Sequence, residues 1–230
     1  MESITSGEYS VYFCPKCGDE NDERFEKVSY DKKAIEMQNQ VNRNLSNAMI
    51  APRFRDRTLQ NYEATLPGQK KALESAWWFL ENMKTCSGMF LIGGPGTGKN
   101  HIAAGIVNEY MKTPGRTALM TEAVKVVRSI KETWHKPGSS ETEVLRLYNK
   151  PDLLIIDEIG VQFESKTERL YLTEIINDRY NCIRPTIICG NLSIGEITEI
   201  LGERVVDRFR DGGRVVVFDW VSYRKQSRRD

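Results

Sequence analysis

Short apolar runs mark the chain from about Arg53 onward: GMFLIGG, TALMT, LLIID, TIICGN and RVVVFDW. Each has the length and aliphatic character of a buried strand. The stretches between them predict helices: Lys99 to Met111, further helical material up to Tyr148, and a helix around Leu170 to Tyr180. Strand–helix alternation of this kind predicts a parallel sheet covered on both faces, an α/β domain. Upstream the texture differs. In residues 31–50, Ala34, Gln38, Val41, Leu45 and Ala48 fall on one stripe at four-three spacing, and Ala51-Pro52 ends it. That pattern predicts a helix, with a plain surface helix and a partner-docking helix both open. Residues 1–30 are polar and short of aliphatics. The expected division is therefore a small N-terminal region, 1–52, with a helix and a Cys-containing turn, and an α/β domain, 53–230.

Composition narrows the classes. With 230 residues and 40% hydrophobic content, the chain can build one substantial domain with a smaller appendage. No apolar run approaches a bilayer span, so no membrane partner is expected. The opening MESITSGEYS has neither a basic nor an apolar leader segment. The net charge of +1 gives no bulk field for nucleic acid, so any such surface must be local. Five scattered cysteines and no leader make a reducing cytoplasm the expected location.

The candidate chemistry begins at LIGGPGTGKN. Gly93, Gly98 and Lys99 fit G-x-x-x-x-G-K between an expected strand and an expected helix. Glycines let such a loop turn its N–H groups inward around phosphate oxygens, and the following helix presents its positive end to them. Gly94, Pro95, Gly96, Thr97, Gly98, Lys99, Asn100 and His101 are the expected ATP-binding residues, with Lys99 bridging the β and γ phosphates. Asn100 stands where a magnesium-ligating hydroxyl is usual. An amide oxygen can ligate a hard cation from a less favourable position, so slow turnover is expected. LLIIDE ends a strand with two carboxylates. Asp157 is the expected magnesium residue, together with Asn100, and Glu158 the expected general base. Asn191, after TIICG, could orient the attacking water or simply serve a turn. Arg204, Arg208, Arg210 and Arg214 suit phosphoryl charge or a solvated basic face equally well.

GPGTGKNHIAAGI, LLIIDEIGVQFESK, RPTIICGNLS, LGERVVDRFR and DWVSYR together resemble the DnaC group of bacterial and phage helicase loaders, AAA+ ATPases related to the IstB-type transposition ATPases. The resemblance runs from about residue 31 to the end. It implies an AAA+ P-loop fold, with a five-stranded parallel sheet between helices, and a GKN ending as a family trait. It implies that Arg208 is an arginine finger acting in trans, with Arg204 in reserve, so that the protein self-associates. It further implies that Arg224 is a second sensor in cis, Asn191 the first sensor, and a DnaB-type hexameric replicative helicase the partner, gripped by the N-terminal region.

In such loaders the insert before LLIIDE touches single-stranded DNA. Here it carries Lys125, Arg128 and Lys131 at three-residue steps, followed by Trp134. Cations and a stacking aromatic suit single-stranded DNA; the plainer reading is an amphipathic helix burying Val124, Val127 and Ile130. Cys14-x-x-Cys17 resembles the tail of a zinc knuckle whose first ligand pair is missing. A zinc needs four ligands, and both histidines, His101 and His135, fall in the ATPase region, so no single-chain zinc site is expected. The leading expectation is an ATP-switched helicase loader. A transposition ATPase acting on duplex DNA and a helicase-binding inhibitor without turnover are the alternatives.

Overall fold

The computed structural model describes residues 2–6, 9–13, 48, 50–134, 138, 140–160 and 166–223. The chain divides into two units, Met1–Arg43 and Asn44–Asp230. In the first, β1 (Glu2–Ser6) and β2 (Tyr9–Phe13) pair antiparallel, Ser6 opposite Tyr9. The expectation of a helix and a Cys-containing turn did not include this hairpin. Cys14, Cys17 and nearly all of the expected 31–50 helix lie outside the described residues.

The second unit is built on β3 (Gly88–Gly93), β4 (Ala118–Glu122), β5 (Leu153–Asp157), β6 (Thr186–Gly190) and β7 (Arg214–Phe218). All five coincide with the apolar runs, pair parallel, and stand in the order β4-β5-β6-β3-β7. The helices are α1 (Pro67–Asn82), α2 (Lys99–Tyr110), α3 (Ala123–Thr133), α4 (Glu141–Asn149), α5 (Lys166–Asn181), α6 (Ile194–Leu201) and α7 (Glu203–Gly212).

Alternation along each strand divides the core. Met89 and Leu91 of β3 face a layer with Ala76, Phe79, Ile102 and Ile106 from α1 and α2. Phe90 and Ile92 face the other layer, with Val126, Ile130, Leu172, Ile175 and Phe209 from α3, α5 and α7. Both faces being covered is why the strands read as unbroken aliphatic runs. Phe90 stacks on Phe209 with ring centroids 4.5 Å apart; burying such a side chain is worth about 1.5–3 kcal/mol. On α3 the buried positions are Ala123, Val126, Val127 and Ile130. Val124, expected in the core, is instead exposed, because the helix is rotated to bury Val126.

The segment ahead of α1 belongs to this unit. Ala48 and Ile50 are buried in its core, and the Met120 amide donates to the Ala48 carbonyl at 2.9 Å. The larger unit thus begins ahead of Arg53. No described helix is long and apolar enough to cross a membrane.

Candidate functional site

Parallel strands put all their C-terminal ends on one edge of the sheet, and ligands of open α/β sheets bind at that edge. Here the edge gathers three loops: Gly94–Gly98 after β3, Asp157-Glu158 at the end of β5, and Asn191 after β6. They open on a cleft of about 400 Å³ whose lining includes Pro95 to His101, Asp157, Glu158 and Asn191. That lies within the roughly 300–1,000 Å³ usual for small-ligand pockets.

The loop's shape depends on its glycines at two places. Gly93 has φ 126° and lies so close to the Phe218 carbonyl that a Cβ would sit 2.3 Å from it. Gly98 has φ 100°, and a Cβ there would meet the Tyr62 ring at 3.0 Å. The C-terminal segment straps the loop from outside: Trp220 Nε1 donates to Thr97 O at 2.9 Å, and the Tyr223 amide to Gly96 O at 2.9 Å.

Inside the cleft the polar groups hold one another. Lys99, 6% exposed, donates to Gly93 O, Gly94 O and Asn191 Oδ1 at 2.7–2.8 Å. Burial lowers its basicity, with the Asp157 carboxylate among the groups opposing. Asn100 donates its amide to Asp157 Oδ2 at 2.5 Å. Burial raises the Asp157 carboxyl above the usual range, while the Glu158 amide and Asn100 pull it back. Glu158 is exposed to the cleft and takes φ 56°, the left-handed region. Sequence-predicted residues 94–101, 157, 158 and 191 are therefore brought together.

Magnesium suits this donor set. The ion keeps several waters and takes substrate phosphates, needing only one or two protein oxygens. Asp157 offers a hard carboxylate oxygen. Asn100 presents its amide nitrogen to Asp157 and so orients that carboxylate. Among the described residues no cluster of three or more His, Cys, Asp or Glu could hold a metal by itself.

The other expected residues that the structure describes lie elsewhere. Arg208 on α7 donates to Asn177 Oδ1 and stacks over the Tyr180 ring at 4.4 Å, both on α5 of the same chain; Arg204 is exposed. Arg224 lies outside the described residues. Lys125 pairs with Glu122 at 2.7 Å, Lys131 pairs with the buried Glu168 of α5, and Arg128 is exposed. Trp134, half exposed, donates its indole N–H to Glu141 and lies 6.4 Å from the Tyr171 ring.

Sequence reasoning missed one wall of the cleft, formed by Arg53, Phe54, Arg57, Asn61, Tyr62 and Glu63 ahead of α1, with Tyr223 beside them. His101 reaches it: Nε2 lies 3.0 Å from Thr58 O and 2.8 Å from Asn61 Oδ1, and the ring meets Tyr62 edge-on. The stretch RFRDRTLQNYE has no periodicity, so no pattern marked it as a wall.

The family model described as IstB-like ATP binding protein matches residues 21–230. The replicative helicase loader DnaC of Escherichia coli (strain K12) is 37% identical over 198 residues, 85% of this chain and 79% of that protein. The replicative helicase loader DnaC of Buchnera aphidicola subsp. Schizaphis graminum is 33% identical over 208 residues, 89% of this chain and 82% of that protein. A crystal structure of the DnaC helicase loader superposes with a TM-score of 0.64 and 25% identity, covering 73% of this chain and 99% of that one. DnaI, at 20% identity and a TM-score of 0.63 over 74% of this chain and 94% of that one, shares the fold. The chain therefore belongs to the IstB-like ATP-binding family, in the group that holds the DnaC replicative helicase loaders.

Proposed function

We propose that this protein binds a DnaB-type hexameric replicative helicase and delivers it onto single-stranded DNA, with ATP binding and hydrolysis as the switch. One observation carries the reading. In a chain 37% identical to a helicase loader over 85% of its length, Lys99, Asn100, Asp157, Glu158 and Asn191 converge on one cleft.

The chemistry follows from the positions. The N–H groups of the loop and the first turn of α2 receive the phosphates. Lys99, now held by two carbonyls and Asn191, turns toward the β and γ phosphates. Magnesium, when bound, neutralises phosphate charge as it develops; Asp157 would hold it, and Asn100 keeps Asp157 in place. Glu158 takes the proton of the attacking water and Asn191 orients that water. Arg208 from a neighbouring copy, and Arg224 from the same chain, stabilise the transferring phosphoryl group. Turnover is slow and rises with assembly and single-stranded DNA, which Trp134, Lys125, Arg128 and Lys131 contact.

The test is the mass of the complex with a purified DnaB-type hexamer, by light scattering, with and without ATP. A stable complex with about one loader per helicase subunit is expected. No complex in either nucleotide state, together with duplex-DNA binding, would favour a transposition ATPase, the reading suggested by the IstB-like family model.

A further inference from the structure

The cleft has two chemically different ends. At one, Asn100 and Lys99 meet Asp157 and Asn191. Successive helix residues diverge by about 100°, so His101 faces away from Asn100, toward the segment Thr58–Tyr62. A triphosphate laid along the loop with its γ end at Glu158 places its nucleoside at this second end.

Hydrogen bonds fix the chemistry of His101. Asn61 Oδ1 accepts from the Thr58 amide at 2.9 Å, and its Nδ2 donates to Asp56 O at 2.7 Å. The Asn61 amide is thereby oriented with its oxygen toward His101. Thr58 O can only accept. The His101 Nε2 therefore faces two acceptors and must carry the proton, which leaves Nδ1 with a bare lone pair. A second polar group is unused in the same corner. Tyr62 is 9% exposed, its hydroxyl is buried with no hydrogen-bond partner, and its ring packs against Gly98.

We propose that His101 selects the base of the nucleoside triphosphate: its Nδ1 lone pair accepts a hydrogen bond from the exocyclic amine of adenine. A 6-oxo purine such as hypoxanthine or guanine presents a carbonyl at that position, and two acceptors then oppose each other. The Tyr62 ring walls the same end of the cleft. The inference rests on the nucleotide-site reading above and adds the residue that makes the site prefer ATP.

The experiment is competition binding with the full chain, comparing ATP, inosine triphosphate and purine riboside triphosphate, which lacks any 6-substituent. In the wild type ATP should bind about fivefold or more tighter than purine riboside triphosphate, the usual net worth of one hydrogen bond, and tighter still than inosine triphosphate. His101→Phe should bring the three affinities together. His101→Gln, which can donate to Thr58 O and still offer an oxygen, should keep the preference. Equal affinities in the wild type, or an undiminished preference in a folded His101→Phe, overturn the proposal. If His101→Phe does not fold, the wild-type ratios and His101→Gln decide it. Failure of the underlying reading looks different: the wild type then binds none of the three, or Lys99→Ala binds them all as well as wild type does.

Discussion

Glu158 holds a left-handed backbone at φ 56°, a conformation that costs a side-chain-bearing residue roughly 1–3 kcal/mol. Its amide donates to Asp157 Oδ1 at 2.8 Å, so the kink both exposes one carboxylate and steadies the other. Glu158→Gly should therefore raise Tm by a few degrees, at about 2–4 °C per kcal/mol for a domain of this size, while hydrolysis disappears. Thermal melts and phosphate release read the two effects. Glu158→Gln, which keeps the strain, should retain ATP binding and lose hydrolysis without the gain in Tm. Asn100 makes a second residue-scale point. Its amide bonds a carboxylate, an interaction worth about 1.5–3 kcal/mol. Asn100→Ala should raise the magnesium concentration needed for half-maximal hydrolysis by about tenfold or more, with magnesium-free nucleotide affinity little changed; a magnesium titration of the rate checks it. The candidate residues of the cleft were legible because glycine spacing and a strand-end carboxylate pair are local signals. The contact between Asn100 and Asp157 joins residues far apart in sequence, and nothing local announces it.

At the scale of elements, the five strands could be read directly because a sheet buried on both faces needs uninterrupted aliphatics. Three helices went unread. Pro67 at the first position of α1 and the Ser193-x-x-Glu196 capping box of α6 were available start signals; α7 is polar on much of its surface and continues α6 after the break at Gly202. Arg179 on α5 was also invisible, since an arginine at a helix end ordinarily faces water. Here it is fully buried and donates to the carbonyls of Tyr148, Pro151 and Pro185 and to Thr186 Oγ1, among others. Burial brings its basicity down to about 9, so it stays charged at neutral pH. It joins α5 to the chain entering β5 and β6, at the opposite end of the sheet from the cleft. Arg179→Met leaves several buried carbonyls without a donor. It should destabilise the domain by about 3 kcal/mol or more, since each buried acceptor left unpaired costs about 1–3 kcal/mol. Denaturant unfolding measures it.

For the whole molecule, the proposed arginine finger raises a question of geometry. Arg208 is tied to Asn177 and Tyr180 within its own chain, so reaching a neighbour requires it to leave them, whereas Arg204 already faces outward. If Arg208 acts in trans, Arg208→Ala should leave nucleotide affinity unchanged and abolish assembly-stimulated hydrolysis. Adding a Lys99→Ala chain, which keeps Arg208 but binds no ATP, should restore part of the rate. No recovery on mixing, with Arg204→Ala showing it instead, would transfer the role. The pairing of Lys131 with Glu168 belongs to the same scale: a side chain expected on DNA already joins the insert helix to α5. If Lys131 contacts single-stranded DNA as proposed, it must give up or share this ion pair with α5.

The contact between the Ala48 carbonyl and the Met120 amide sets where the molecule can be cut and rejoined. A fragment starting at Arg53 discards two core side chains and the Ala48 carbonyl that accepts from the Met120 amide of edge strand β4, so it should express poorly beside one starting at Asn44. A chimaera carrying another relative's N-terminal region must be spliced upstream of that contact. The portable N-terminal part is therefore shorter than the change of sequence texture at Arg53 suggests, and the domain it would be grafted onto begins several residues earlier.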